Sequence, residues 1–356
     1  MRAAAALALL LVAGSLLAST PSRPLAGKQR PPAVSDQRYD QHAGAMAFAS
    51  EVAQRNGWDP QWVREQVGQA LHLPAVVRLV RPAPAGTPKD WTAYRARFIE
   101  PRRIDAGLRY WQAHRDILAR AETEFGVPAS LIVGVIGVET LYGRHLGQFR
   151  VLDALATLAF DFPAEHPRAQ ARQTFFREEL EHFLTLTQQS GRDPGSLRGS
   201  FAGAMGWPQF MPSSWLRYAI DFDGDGQVDL FDSQADVIGS VANYFKAFGW
   251  QAGMPTHYPV QFDRTRLDLP TLLAPDIRPT FDAATLESLG VVLDEPGRQH
   301  SGPMALVELE NGGAPRSYVA GTENFYVVTR YNWSSYYALA VIELGETIRD
   351  LLEPGR

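Results

Sequence analysis

The sequence predicts a mainly α (α+β) protein, on three observations. LIVGVIGV at residues 131–138 is apolar all round, as in a helix central to a core. A long amphipathic pattern runs from Arg103 to Phe125, with Tyr110, Trp111, Ile117 and Leu118 on its apolar side. Residues 256–322 change character. They are rich in Pro, Gly and Asp and hold short apolar runs, ALVEL and SYVAG, that read as a small β-containing module.

In chain order, residues 1–20 have the pattern of a signal peptide. Arg2 is the charged start, residues 3–18 are apolar, and Ser19, Thr20 and Pro21 break the run. It is short and sharply ended for a membrane span, with an uncleaved anchor as the alternative. Residues 21–37 are polar and proline-rich and read as a disordered lead-in. A helical region is expected over 38–102. Asn56-Gly57 breaks one helix there, and Asp59-Pro60 starts the next as cap and first residue. Residues 83–90 read as a loop. The region 103–255 opens on the amphipathic run, which Gly126 ends. Pro128 opens the apolar helix and Gly143 ends it. Further helices are expected at 151–160, 168–189 and 234–248, the last stopped by Gly249. After the β module, the segment 323–356 turns helical again from about Ser334 to Leu352.

The chain has 356 residues, which suggests two or three domains. Its 45% hydrophobic and 21% charged residues are ordinary for a soluble protein. A net charge of -5 gives no broad basic field for nucleic acid, although it leaves room for a local basic groove. There is no cysteine, so disulfides, thiolate metal sites, cysteine nucleophiles and a lipid-modified cysteine are all excluded. An exported product would then be periplasmic, with no stable membrane anchor after signal cleavage. A monomer is the default expectation. The eight histidines show no metal-ligand spacing, and no phosphate-binding glycine motif is present. Asn332-Trp333-Ser334 is formally a glycosylation triplet and reads as coincidence.

Glu139 follows directly on the apolar helix, one turn beyond Val135 and two beyond Ile132. A carboxyl group against a buried face is costly to ionise, so its pKa rises and it stays protonated near neutrality. That is the state a general acid needs to protonate a glycosidic oxygen. On position alone, a glutamate that has reached the helix end and simply meets water is the favoured reading, which the neighbouring motifs then shift. Further on, GSFAGAMGWPQFMPSSW at 199–215 combines glycines, prolines and apolar side chains in one loop. It reads either as a rigid wall with Ser200 and Gln209 facing a sugar, or as a packed loop whose polar groups satisfy backbone atoms.

GVETLYGR, LDALATLAFDFP, GSFAGAMGWPQFMPSSW, SVANYFKAFGW and NFYVVTRYNWSSYYALAV, in this order, resemble the membrane-bound lytic murein transglycosylase B family and its soluble form. The resemblance runs from about Phe48 to Leu352, interrupted mainly over 256–320. It implies a lysozyme-like catalytic α core over 103–255, flanked by the helical domain and the β module, with peptidoglycan glycan strands as substrate. It implies that Glu139 is the sole catalytic acid/base. The glutamate protonates the oxygen between N-acetylmuramic acid and N-acetylglucosamine, then takes the proton of the muramic C6 hydroxyl as that oxygen attacks C1. The product carries a 1,6-anhydro end, and cell-wall synthesis proteins are conceivable partners.

Carried over by position, the resemblance places Ser200 and Gln209 in the active-site loop and Tyr244 in the groove. Tyr331, Asn332 and Tyr337 fall in the C-terminal motif that closes the site, and Tyr94 is a helical-domain tyrosine facing the cleft. Each aromatic ring can stack on a sugar or simply pack in the core. The segment 162–176 departs from the family pattern, which leaves contacts to peptide stems there undefined. The absent cysteine marks a soluble member.

DFDGDGQVDLFD at 221–232 has the spacing of an EF-hand loop. Asp221, Asp223 and Asp225 take the alternating positions, Gln227 offers its backbone carbonyl, Gly226 makes the turn, and Asp232 stands where glutamate is usual. The alternative is a solvated acidic turn. The resemblance supports one structural calcium ion and no organic cofactor.

Three rivals stand beside the transglycosylase reading. A hydrolytic muramidase needs a second carboxylate, for which Asp153 and Asp161 are the nearby candidates, although both read as structural. A non-catalytic glycan-binding protein would keep the groove without chemistry. A calcium-regulated adaptor would need paired EF-hands, and one loop is visible.

Overall fold

The computed structural model describes residues 37–82, 86 and 88–353. The expected signal peptide lies outside them, as does the lead-in apart from Gln37. The chain opens with α1 (Ala43–Asn56), α2 (Pro60–Gly68) and α3 (Pro74–Leu79). Gly57 ends α1 at φ 67°, a left-handed conformation that suits glycine. Asp59 then caps α2 through the Gln61 N–H, with Pro60 at its first position, as the sequence predicts.

α4 (Trp91–Arg95), α5 (Pro101–Ala113) and α6 (Arg115–Phe125) follow. The single helix expected over 103–125 is thus two. His114, at φ -120° and ψ 23°, leaves the helical region, and each half buries its own face, Ala106 and Tyr110 on α5 and Leu118 and Ala121 on α6. α7 (Ala129–Thr140) is buried throughout from Ala129 to Gly137, as its all-round apolar sequence requires. It stops at Thr140, earlier than the expected break at Gly143. Leu141 and Tyr142 already adopt positive φ, 51° and 54°, before Gly143 at 79°.

β1 (Phe149–Arg150) pairs with β2 (Arg198–Gly199), bracketing α8 (Val151–Phe160) and α9 (Ala169–Ser190). α10 (Pro212–Tyr218) and α11 (Gln234–Ala247) complete the main helical body. Next come β3 (His257–Phe262), α12 (Leu269–Leu273), α13 (Ala283–Ser288), β4 (Val291–Leu293), α14 (Glu295–Arg298), β5 (Ala305–Asn311) and β6 (Ala314–Gly321). Their strands form an antiparallel sheet in the order β4-β3-β6-β5. ALVEL and SYVAG are its β5–β6 hairpin, and Gly312-Gly313 makes the two-residue turn with φ of 59° and 104°, which a β-carbon would resist. This region has its own apolar cluster, including Tyr258, Leu272, Leu293, Met304 and Leu306.

α15 (Glu323–Thr329) and α16 (Ser335–Leu352) bring the chain back to the helical body. α16 lies antiparallel on α7 at backbone contact. A β-carbon on Gly134 would stand 2.2 Å from the Val341 carbonyl oxygen, and one on Gly345 would stand 2.0 Å from that of Ser130. The register that sets Gly345 by Ser130 and Val341 by Gly134 brings the first turn of α16 to the last turn of α7. Ser334 caps that first turn through the Tyr337 N–H.

Candidate active site and metal loop

Glu139 lies in the last turn of α7 and Tyr337 in the first turn of α16. The Tyr337 hydroxyl donates to Glu139 Oε1 at 2.6 Å. Burial raises the Glu139 pKa to about 7, and the Tyr337 bond opposes that rise. The negative end of the helix dipole at the α7 C-terminus also disfavours a carboxylate there. Side-chain burial therefore decides the open question of position: this glutamate does not simply meet water.

Three phenols surround it. Tyr94 on α4 is pushed up to about 12 by desolvation first and then by Glu139. Tyr331 and Tyr337 are held far above their ordinary range by the same two causes. Tyr331 stacks on Tyr337 at 6.3 Å and 14° and donates to the Pro208 carbonyl at 2.6 Å. Tyr244, expected in the groove, is 6% exposed. Its hydroxyl donates to the Arg330 carbonyl at 2.7 Å and its ring packs 4.8 Å from Tyr331, so it supports the ring that reaches the site. Asn332 follows Tyr331, half-buried, and its carbonyl accepts the Ser334 N–H at 2.7 Å.

The loop between β2 and α10 forms the adjoining wall. Ser200 Oγ accepts the Ala202 and Ala204 N–H groups at 3.3 and 3.0 Å, which folds the glycine-rich turn. Gln209 sits at φ 51° and directs Nε2 to the carbonyls of Gly206 at 2.9 Å and Leu146 at 3.3 Å. Left-handed backbone at a non-glycine residue is strained, and Leu141, Tyr142 and Gln209 all carry it beside Glu139 or on this wall. Thr140 ties the wall to α7, since its hydroxyl donates to the Trp207 carbonyl at 3.1 Å. The Trp207 ring covers Gly143, where a β-carbon would stand 2.4 Å from it.

Both carboxylates that could have served as a second catalytic group are occupied elsewhere. Asp153 is buried, paired with Arg150 at 2.5 Å, and accepts the Leu71 N–H at 2.9 Å. Asp161 accepts the Tyr39 hydroxyl at 2.5 Å.

In the acidic loop, one oxygen each of Asp221, Asp223 and Asp236 lie within 4.8 Å of one another. Three carboxylate oxygens at such spacing suit a hard divalent cation. Asp221 is oriented by the N–H groups of Gly224 and Gly226, at 2.7 and 2.8 Å. The structure departs from the expected ligand set. Asp232 is exposed and outside this group, and so is Asp225. Gln227 donates its N–H to Asp225 Oδ1 at 2.8 Å. Asp236, on the first turn of α11, takes the closing place, held by the Phe222 and Asp229 N–H groups at 2.7 Å each.

The family model for a transglycosylase SLT domain matches residues 40–346. The chain is 39% identical over 319 residues to the membrane-bound lytic murein transglycosylase B of Escherichia coli K12, covering 87% of this chain and 84% of that protein. The fold matches the E. coli lytic transglycosylase Slt35 in complex with bulgecin A, with a TM-score of 0.77 at 39% identity, covering 87% of this chain and 94% of that one. Slt35 has also been solved in complex with calcium, matching at 0.75. SltB3 of Pseudomonas aeruginosa, in complex with NAG-anhNAM-pentapeptide, matches with a TM-score of 0.69 at 30% identity, covering 88% of this chain and 80% of that one.

The chain belongs to the lytic murein transglycosylase B family. It is an enzyme acting on peptidoglycan, and the main fold expectation, a largely helical body with small antiparallel sheets, holds. Sequence reasoning missed several residues of this transglycosylase. Asp236 lies past the end of a twelve-residue loop template, which therefore cannot find it. Thr140 and Trp207 reveal their link only in space. Glu179, at 2% exposure, accepts both the N–H and the hydroxyl of Ser213, at 2.9 and 2.5 Å, and so fixes the start of α10. Burial pushes its carboxyl up to about 7. In the sequence it is one acid among several on an amphipathic helix.

Proposed function

We propose that Glu139 is the single acid/base with which this transglycosylase cleaves the β-1,4 bond between N-acetylmuramic acid and N-acetylglucosamine, leaving a 1,6-anhydro end. One observation carries this reading: a carboxyl group raised to about 7 by burial, held by Tyr337 and flanked by the phenols of Tyr94 and Tyr331. In the protonated form it gives its proton to the glycosidic oxygen as the C1–O bond breaks. The resulting carboxylate accepts the C6 hydroxyl proton while the C6 oxygen bonds to C1. The proton count closes, Glu139 ends protonated, and no water is consumed. The substrate's own 2-acetamido oxygen supports the positive charge at C1. One carboxylate is then enough, and the engagement of Asp153 and Asp161 elsewhere favours this over the hydrolytic alternative. The anhydro sugar bound by the relative SltB3 supports the same outcome.

Tyr337 orients the acid, Tyr94 offers a ring face and hydroxyl to the sugars, and Tyr331 contributes the part of its ring left uncovered by Tyr337 and Tyr244. Tyr244 stiffens Tyr331, while Ser200, Gln209 and Asn332 provide polar contacts along the wall. Asp221, Asp223 and Asp236 would hold a calcium ion, with Asp225, Gln227 and Asp232 exposed elsewhere on the same loop. That ion would order the loop, which braces the wall through bonds from Trp207 to the Leu230 carbonyl at 3.0 Å and the Phe231 carbonyl at 2.8 Å. The signal-like segment 1–20 and a cell-wall substrate together favour the periplasm.

Mass spectrometry of products from purified peptidoglycan tests the reading. Anhydro-muropeptides from the wild type, reduced by about 10²–10⁴-fold in Glu139→Gln, are expected. Reducing-end muropeptides would replace it with hydrolysis.

A further inference from the structure

α4 carries Tyr94 and is only five residues long. A helix this short does not hold itself in place, so its position is set by what it rests on. Tyr94 is half-buried, and three rings surround it: Phe98 at 5.1 Å, Tyr336 edge-on at 5.8 Å and 88°, and Trp91 stacked at 6.3 Å. Trp91 is buried and also meets the Tyr336 ring edge-on, at 5.9 Å. Tyr336 therefore touches both aromatic residues of α4, while its neighbour Tyr337 holds Glu139. The ion pair of Arg95 with Glu343 is a second tie between α4 and α16. Partly exposed pairs of this kind contribute little.

The β module reaches this place through its β5–β6 hairpin. β5 is an edge strand, and its register with β6 shifts between Leu309 and Asn311. Backbone groups at such a point need partners from outside the ladder. Tyr336 supplies them for Glu310: its hydroxyl accepts the Glu310 N–H at 2.8 Å and donates to the Glu310 carbonyl at 3.2 Å. The hairpin turn meets the start of α4 directly. Asp90 caps α4 through the Ala93 N–H at 3.0 Å and pairs with Asn311 as an antiparallel bridge. The Gly312 N–H binds the Lys89 carbonyl at 3.0 Å. A β-carbon on Gly312 would stand 2.7 Å from Asp90 Oδ2. The cap and first turn of α4 are thus built against the hairpin.

We propose that the β5–β6 hairpin positions Tyr94 for the glycan strand, with Tyr336 as the positioning residue between them, so that the β module sets the affinity of the cleft on its Tyr94 side. The proposal rests on the peptidoglycan reading above and on Tyr94 as a sugar contact. Two adjacent tyrosines then divide the work. Tyr337 acts on the acid, and Tyr336 acts on the sugar contact without touching substrate itself.

The test is a double-variant cycle of Tyr336→Phe with Tyr94→Ala, with KM and kcat measured on soluble peptidoglycan strands. Tyr336→Phe keeps the ring and loses both bonds to Glu310. Alone, it is expected to raise KM about three- to tenfold, with kcat held and the fall of kcat/KM above the Glu139 pKa left in place. Gly312→Ala, which pushes the hairpin off Asp90, should raise KM in the same way. Tyr94→Ala should raise KM by itself, and in that background either second change should cost less than about twofold, because residues that act through one another are not additive. An equal cost in both backgrounds, or no cost in either, overturns the proposal and leaves Tyr94 as a sugar contact. A pH limb displaced by Tyr336→Phe would route its effect through Tyr337 and Glu139, and overturns it too. An unchanged KM in Tyr94→Ala would remove the sugar role of Tyr94 and the proposal with it. A wild type that cuts no strand would instead sink the peptidoglycan reading. Thermal melts of each variant separate a loss of folded protein, which lowers kcat, from the expected change in KM.

Discussion

Glu139 is under two opposing influences, and each can be read in solution. Burial raises its pKa to about 7, and the Tyr337 hydroxyl bond works against that rise. The acid form is the active one for the first proton transfer, so kcat/KM should fall about tenfold per pH unit above the pKa. Tyr337→Phe removes the opposing bond and should move this limb to higher pH, with lower turnover from a less well-oriented acid. A limb that stays in place would break the pairing. Glu139→Gln should cost about 10²–10⁴-fold in turnover. The same shift has a stability consequence. The folded state holds this proton more tightly than the unfolded chain, so stability is lost as pH rises from below the ordinary glutamate value through about 7. Glu139→Gln should therefore match wild type at low pH and exceed it by about 1–3 kcal/mol at pH near 8, the lower end reflecting the side chain's partial exposure at the cleft. Denaturant melts at the two pH values measure the difference.

At the scale of the element, the pairing of α7 with α16 sets the distance between acid and phenol. The two helices touch at Gly134 and Gly345 because no side chain intervenes. Gly345→Ala would place a β-carbon 2.0 Å from the Ser130 carbonyl oxygen, so the helices must part. We expect a loss of about 1–3 kcal/mol, and a loss of turnover in protein that is still folded by circular dichroism, as Tyr337 moves away from Glu139. Full activity in a folded Gly345→Ala variant would show that this contact does not control the site. Glu179 acts similarly at the start of α10, anchoring the end of the wall loop through Ser213.

Across the whole molecule, the acidic loop and the reacting carboxyl are joined by a short series of bonds. Asp236 holds the loop from α11, Trp207 binds the carbonyls of Leu230 and Phe231, and Thr140 binds Trp207 from the turn that carries Glu139. A cation bound only by the folded state at a hundred times its Kd adds about 2.7 kcal/mol. Calcium should therefore raise the melting temperature and a chelator should lower it. Asp236→Asn should abolish the calcium-dependent shift, whereas Asp232→Asn should keep most of it. Differential scanning fluorimetry of the three proteins separates the observed cluster from the twelve-residue template, which predicts the reverse.

By itself the sequence determined what local chemistry controls. The cap and first residue of α2, the extent of α8, the β5–β6 hairpin and the Ser334 start of α16 follow from side chains that act within a few residues of themselves. Burial of α7 followed from its uniform apolarity, and Glu139 was identifiable because it ends that run. The residues of the transglycosylase motifs stood in the order the resemblance requires. The tertiary structure alone decided what depends on partners distant in the chain. It set Tyr337 against Glu139 across 198 positions, placed Tyr244 behind Tyr331, and exchanged Asp232 for Asp236 in the acidic cluster. It also broke the 103–125 helix at His114. Such contacts depend on how helices cross and where turns deliver them, which is fixed by packing over the whole core and leaves no periodic trace in the sequence.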